Sequence, residues 1–350
     1  VSGETAGPPP GPPPGLAAPP GTPGPALPCL AELEAAARVV AEVVPPTPQI
    51  AWPLVCARVG ATVWLKHENH TPVGAFKVRG GLVYVDELRR ARPDVRGLVA
   101  ATRGNHGQSV AFAARRHGLR AVVVVPHGNS REKNAAMRAL GAELVEHGRD
   151  FQDAVEHAAG LAGGDGLLAM PSFHPLLVRG VGTWALELLR AVPDLERLYV
   201  PVGLGSGICG ALAARAALGR AVEVVGVVSA AAPAYARSFA AGAALSVPST
   251  TELADGLAVR TPDPLALRWI REGVARIVEV DDEQVALAMA AVFQDTHNAA
   301  EGAGAAGLAA LLQERDRNRG RRVATVITGA NVDALRFAEV LRRHGAEVAP

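Results

Sequence analysis

Lys77 stands inside residues 66–81, which read KHENHTPVGAFKVRGG. The alternating run 61–66 predicts a half-buried strand, and the small and breaking residues 70–74 predict a turn. A helical pattern starts around Phe76, so Lys77 falls where a loop enters a helix, beside an aromatic ring and glycines. Packing at such a place disfavours the ammonium form by desolvation. Only the neutral amine attacks a carbonyl, so this is the setting that a Schiff-base lysine requires. The plain alternative is a solvated lysine at a helix start.

Three further stretches put small and polar residues where a strand ends. Residues 98–101 run into Thr102, Arg103, Gly104, Asn105 and His106, where a helix begins. Ligands of open α/β sheets bind at the carboxyl ends of strands, and the amides of a helix start suit an anion. Residues 198–202 run into Gly203, Leu204, Gly205, Ser206 and Gly207, a glycine-rich nest suited to a phosphate dianion. That loop also contains GxGxxG as Gly205, Gly207 and Gly210, so a nicotinamide dinucleotide site is an alternative. A dinucleotide site places an acid at the end of the next strand, which here ends Val227-Val228-Ser229, so a monophosphate cradle is the preferred reading. Residues 323–327 lead into Thr328, Gly329, Ala330 and Asn331; on sequence alone Thr328 is a turn residue. The histidines show no HExxH or comparable ligand spacing, and no metal site is expected.

These loops need a scaffold, and the pattern around them supplies one. Helices at about 77–91, 106–117, 130–140, 150–162, 176–191, 207–218, 282–298, 303–315 and 333–343 alternate with short β-branched runs. Those runs lie at 97–101, 120–125, 143–145, 167–169, 198–202, 222–228, 276–280 and 322–327. Short β-branched runs between helices predict an α/β protein with parallel strands covered on both faces. An amphipathic helix at 30–43 comes first, ended by Pro45, Pro46 and Pro48. Residues 1–29 are rich in Pro and Gly and read as a disordered tail.

Composition narrows the class. The chain has 350 residues, 49% hydrophobic, and a formal net charge of +1, which gives no reason to expect nucleic acid or an anionic membrane as partner. Its three cysteines, Cys29, Cys56 and Cys209, are far apart, against a disulfide framework or zinc site, and a reducing cytoplasm is the expected location. No apolar run has the length of a membrane span, and the N-terminal residues lack the basic-then-apolar order of a signal peptide.

The Lys77 stretch resembles the lysine motif of the threonine/serine dehydratases, pyridoxal-phosphate enzymes of the tryptophan synthase β-like fold. The matching residues are Lys66, Glu68, Asn69, Thr71, Pro72, Gly74, Phe76, Lys77, Arg79 and Gly80. Ala75 departs from the family's usual serine. Residues 102–106 are similar to the family's Ser-x-Gly-Asn-His loop, residues 203–207 to its glycine loop, and residues 328–331 to its Ser/Thr-Gly-Gly/Ala-Asn motif. Residues 254–256 and 301–306 look like its Ala-Asp-Gly and Glu-Pro-Ala-Gly-Ala stretches, with Gly302 in place of the proline.

The resemblance implies two parallel-sheet domains: a large one at 30–91 plus 175–350, and a small one at 92–174 inserted in it. It implies pyridoxal 5'-phosphate held on Lys77, with Phe76 beside the ring. Residues 203–207 would bind the phosphate, Asn105 the 3-hydroxyl and Thr328 the ring nitrogen. Thr102, Arg103, Gly104, Asn105 and His106 would hold the substrate carboxylate. Lys77 would be the catalytic base, Glu301 a wall residue, and the reaction β-elimination from a small hydroxy-amino acid, giving a 2-oxo acid and ammonia. A homodimer is the implied assembly. The alternatives are hydroxyaspartate dehydration or β-replacement on the same cofactor, a nicotinamide-dependent dehydrogenase, or a binding module without catalysis. Racemisation needs a second proton donor across the substrate from Lys77. The racemase relatives place a serine where this chain has Arg103, whose guanidinium does not give up its proton, so a lyase is expected.

Overall fold

Leu30–Ala41 forms helix α1, with Leu33, Ala36 and Val40 recurring on its buried face. The computed structural model of the chain describes residues 25–346. The expected disorder of residues 1–24 lies outside the described residues. Pro25–Cys29, also assigned to the tail, correct that boundary. The Pro25 carbonyl accepts a hydrogen bond from the Trp269 indole at 3.2 Å, Leu27 packs against the core, and Pro28 is buried.

Ten strands follow: β1 (Gln49–Ala51), β2 (Thr62–His67), β3 (Gly97–Ala101), β4 (Arg120–Val125), β5 (Glu143–Glu146), β6 (Leu167–Ala169), β7 (Arg197–Pro201), β8 (Glu223–Ser229), β9 (Arg276–Val280) and β10 (Arg322–Ile327). Between them run α2 (Pro53–Val59), α3 (Lys77–Ala91), α4 (Asn105–Arg116), α5 (Arg131–Ala139), α6 (Phe151–Leu161), α7 (Pro175–Ala191) and α8 (Ser206–Ala217). After these come α9 (Ala234–Ala241), α10 (Pro264–Gly273), α11 (Asp282–Thr296), α12 (Gly302–Gln313), α13 (Arg315–Asn318) and α14 (Ala334–His344).

The strands form two sheets, one of six in the order β1-β2-β10-β7-β8-β9 and one of four in the order β5-β4-β3-β6. Every pair is parallel except β1 with β2, where Ile50 faces Leu65. In the parallel strands β4, β7, β8 and β10 nearly every residue is buried, which is why they read as continuous β-branched runs with no alternation. One core, including Val63, Leu65, Met289 and Leu308, fills one side of the larger sheet. A second, including Trp184, Leu198, Ile208 and Trp269, fills the other. A third core joins α1, α3 and α4 to the four-stranded sheet through Val40, Leu82, Leu98 and Val110.

The helices start where local chemistry tells them to. Asp150, Asp263 and Asp281 accept amide hydrogen bonds at the starts of α6, α10 and α11, and Gln284 closes a capping box. Strands β2, β10 and β7 are adjacent and parallel, so their carboxyl ends open on one side. The three loops that leave them carry Lys77, Thr328 and Gly203–Gly207. No helix among the described residues is long and apolar enough to cross a membrane.

Candidate active site

The Lys77 turn is held from both ends. Thr71 accepts the Ala75 amide and donates to the Ala75 carbonyl, each at 2.9 Å, closing the turn. The Phe76 amide donates to the Thr328 carbonyl at 3.0 Å, and Ala75 bridges to Gly329, so the lysine loop is tied to the loop after β10. Lys77 then begins α3. Its Nζ lies 5.5 Å from the Phe76 ring centroid, and no carboxylate among the described residues lies within ion-pair distance. Desolvation by its neighbours lowers the Lys77 pKa, and Glu301 offsets this only in part. The neutral amine is therefore favoured more than on a free lysine.

Beneath the turn lies a buried network of charge. Arg79 is fully buried and grips Glu68 with Nε at 2.7 Å and Nη2 at 3.0 Å. The same guanidinium reaches Glu187 at 2.6 and 3.0 Å and the Thr183 hydroxyl at 3.0 Å. Lys66 donates to Glu187 at 2.6 Å and to the Thr47 carbonyl at 2.7 Å. Two cations and two carboxylates thus balance, with their donors satisfied.

The glycine loop turns tightly into the start of α8. Gly205 precedes α8 with φ +106°, a conformation that side chains rarely adopt, and a Cβ there would lie 2.8 Å from that of Ala266. A Cβ on Gly203 would lie 2.4 Å from the Gly256 carbonyl, so the loop lies against Ala254-Asp255-Gly256. Gly207 faces the Phe76 ring, whose nearest atom would be 3.7 Å from a Cβ there. The Leu204 carbonyl accepts from Tyr235 at 2.8 Å, which fixes the loop, and Ser206 opens α8. The third glycine of GxGxxG, Gly210, serves packing: a Cβ there would be 2.8 Å from the backbone of Gly182 in α7.

Opposite stands the loop after β3. The Thr102 hydroxyl accepts the amides of Gly104 at 3.0 Å and Gly107 at 3.3 Å, so it caps its own loop and occupies the Gly104 amide. Asn105 donates to Glu301 Oε1 at 2.6 Å and accepts from Asn331 at 2.8 Å. His106 is buried with Nε2 unpartnered, and burial, with Lys77 adding repulsion, pushes its pKa down to about 3. Arg103 is exposed, its guanidinium 6.0 Å from the Phe151 ring centroid at the cleft mouth. Thr328 is buried beside Phe76.

The contacts therefore link Phe76, Lys77, Asn105, His106, Thr328 and Gly207 into one neighbourhood, beside a cleft with Arg103 in its lining. Lys133 was not among the expected site residues. It lines the cleft together with Asp255 and Glu301, with its Nζ 2.6 Å from Asp255. Its sequence neighbourhood reads as an ordinary helix start, with Ser130 as N-cap, and carries no other signal.

A phosphorylated ring with a reactive carbonyl fits these residues. The glycine loop leads into the start of α8, whose amides suit a phosphate, Lys77 makes no ion pair among the described residues, and Asn105 keeps one N–H beyond the bond to Glu301.

Comparison with known proteins agrees. Residues 40–329 match the family described as "Pyridoxal-phosphate dependent enzyme". The chain is 36% identical to an L-threonine ammonia-lyase of Geobacter sulfurreducens over 287 residues, covering 82% of this chain and 71% of that one. It superposes on the processed form of threonine deaminase isoform 2 from Solanum lycopersicum with a TM-score of 0.84 at 28% identity, covering 90% and 92% of the two chains. Maize serine racemase is similar at a TM-score of 0.84 and 26% identity, covering 92% and 99%.

Proposed function

From the premise that this chain belongs to the pyridoxal-phosphate dependent enzyme family, we propose that it is a threonine (serine) ammonia-lyase. It removes the β-hydroxyl of a small hydroxy-amino acid and releases ammonia and a 2-oxo acid. The observation that carries this is Lys77: an unpaired lysine of lowered pKa where the ends of β2, β10 and β7 meet.

Pyridoxal phosphate, when bound, supplies a sink for the electron pair left as the Cα–H bond breaks. The chain's own residues do the rest. Amides of 203–207 at the start of α8 would hold the phosphate, Asn105 would face the 3-oxygen, and Thr328 would offer the ring nitrogen a neutral hydroxyl. Phe76 packs beside the ring. Lys77 Nζ, as the neutral amine, would take the Cα proton, and the nearby Glu301 carboxylate favours the ammonium so formed. The amides of Arg103, Asn105 and His106 are left to hold the substrate carboxylate, since Gly104's is taken by Thr102. Arg103 at the rim offers no proton to the far face of Cα, which favours elimination over racemisation.

We read residues 92–174, which contain the four-stranded sheet, as a small domain that closes over the substrate and excludes water. The large domain is 30–91 plus 175–350. A cytoplasmic homodimer is the assembly we propose from the family resemblance; elution as a monomer in gel filtration would contradict it.

The test is direct. Purified protein incubated with L-threonine or L-serine is expected to release a 2-oxo acid and to show a visible absorbance band from the bound cofactor. Lys77→Ala is expected to fold, by circular dichroism, while losing both. Full turnover by Lys77→Ala would overturn the assignment.

A further inference from the structure

One charged side chain at the site, Lys133, is left without a role by this mechanism. Lys133 reaches from α5 to Asp255, 2.6 Å away, and lies 4.0 Å from Glu301 Oε2. Its stem occupies the space that a Cβ on Gly104 would need, with its Cδ 2.7 Å from that position. Glu301 is buried, and its Oε2 has no hydrogen-bond partner, whereas Oε1 accepts from Asn105. Lys133 faces Glu301 from α5, Lys77 from α3, Asn105 from α4 and Asp255 from the short turn before α10. Gly329 closes the remaining side, and Asp333 bears on Lys133 from beyond.

Charge counting shows what such a cluster does. Asp255 and Glu301 are two carboxylates, and Lys133 is one cation. Lys77 adds no full charge once it is neutral. The cluster then holds one negative charge more than it balances, and a buried carboxylate with an unpartnered oxygen is the group that sheds its charge most readily. That charge matters for Asn105. An ionised Glu301 only accepts, so it holds the Asn105 NH2 toward itself, and Asn331 holds the amide oxygen on the other side. The second N–H then points away from Glu301. A protonated Glu301 can donate to the amide oxygen and release this orientation.

We propose that Lys133 is a positioning residue of this site, which favours the ionised form of Glu301 and thereby the orientation in which Asn105 faces the cofactor. This rests on Asn105 being the contact of the cofactor's 3-oxygen. Burial raises the Glu301 pKa, Lys133 lowers it and Asp255 raises it, and the net result is about 7. Burial also lowers the Lys133 pKa, but Glu301 and Asp255 outweigh this and keep it a cation.

The experiment is a pH titration of the absorbance and fluorescence of the bound cofactor in the full-length holoenzyme. A transition near pH 7, absent in E301Q, is expected in the unaltered protein. K133M is expected to move its midpoint up, and D255N down, each by about one pH unit. K133R is expected to keep the original midpoint. A merely structural role for Lys133 does not give opposite shifts for the two removals. Equal or absent shifts in K133M and D255N overturn the proposal. If K133M does not fold, D255N decides: a midpoint that fails to fall overturns it. A protein with no cofactor band overturns the functional assignment and this inference with it. A band whose midpoint does not respond overturns this inference alone.

Discussion

Arg79 lies two residues beyond Lys77 on the same helix, and it is fully buried. Its guanidinium is shared between Glu68, also fully buried, and Glu187, so it fixes the first turn of α3 against the turn after β2 and against α7. Removing one partner of a buried pair leaves the other uncompensated, at a cost of about 3–5 kcal/mol. Arg79→Met is therefore expected to lose about that much stability in urea unfolding, with Arg79→Lys intermediate because an ammonium cannot fork to two carboxylates. A loss below about 1 kcal/mol in Arg79→Met would show the network to be dispensable. At this scale the sequence was uneven. Lys77, Asn105, Thr328 and the glycine loop stand in local motifs, and each can be read from its neighbours. The partners of Arg79 cannot. Glu187 is 108 positions away, on a helix whose pattern shows only amphipathicity. Lys133 meets Asp255 across 122 positions, a pairing no local pattern encodes.

Helices α3, α7 and α8 meet at close crossings that depend on glycine. A Cβ on Gly180 would lie 2.2 Å from the Arg79 carbonyl and 2.8 Å from the Gly80 Cα, both backbone, which cannot swing aside. Gly180→Ala is expected to push α7 off the lysine-bearing helix and cost about 1–3 kcal/mol or more. Gly160, near the end of α6, has nothing within 4 Å of a Cβ and no positive φ, so Gly160→Ala is expected to stabilise by about 0.5–1 kcal/mol. Chemical denaturation of the two variants beside the parent checks the opposite signs.

Elements were legible in proportion to their length and repetition. Helix α3 and strands β3, β4, β6, β9 and β10 fall on the ranges read from the sequence. Strand β1 and helices α2, α9 and α10 do not figure in that reading. Strand β1 has three residues, the seven residues of α2 hold too few turns to show a period, and α9 has only eight. Helix α10 does carry a start signal, Asp263 before Pro264, and an amphipathic face. The alternating strands and helices do not demand an element there, so the signal stands outside that pattern.

The whole molecule carries buried histidines that should set its acid limit. Burial pushes the pKa of His67 down to about 4, of His106 to about 3 and of His174 to about 4. Unfolded, each titrates near 6.5. Between those values the unfolded chain binds more protons than the folded one, so stability rises with pH there and is lost as pH falls. Glu301 works in the other direction. Its folded pKa, raised to about 7 against 4.5, means that the folded chain binds the extra proton between those values, and stability falls as pH rises through them. Asp263, raised by burial, acts with Glu301, and His117, lowered by burial, acts with the other histidines, whose windows extend lower. The urea midpoint is therefore expected to fall as pH drops from about 6.5 toward about 4. His106→Gln, which cannot take up the proton, is expected to flatten that fall, and E301Q to steepen it between about pH 7 and about pH 4.5, because the opposing group is gone. A midpoint that stays level across the acid range in the parent protein would mean that these histidines find water or a partner for the second ring nitrogen, and that their burial does not govern the fold's tolerance of acid.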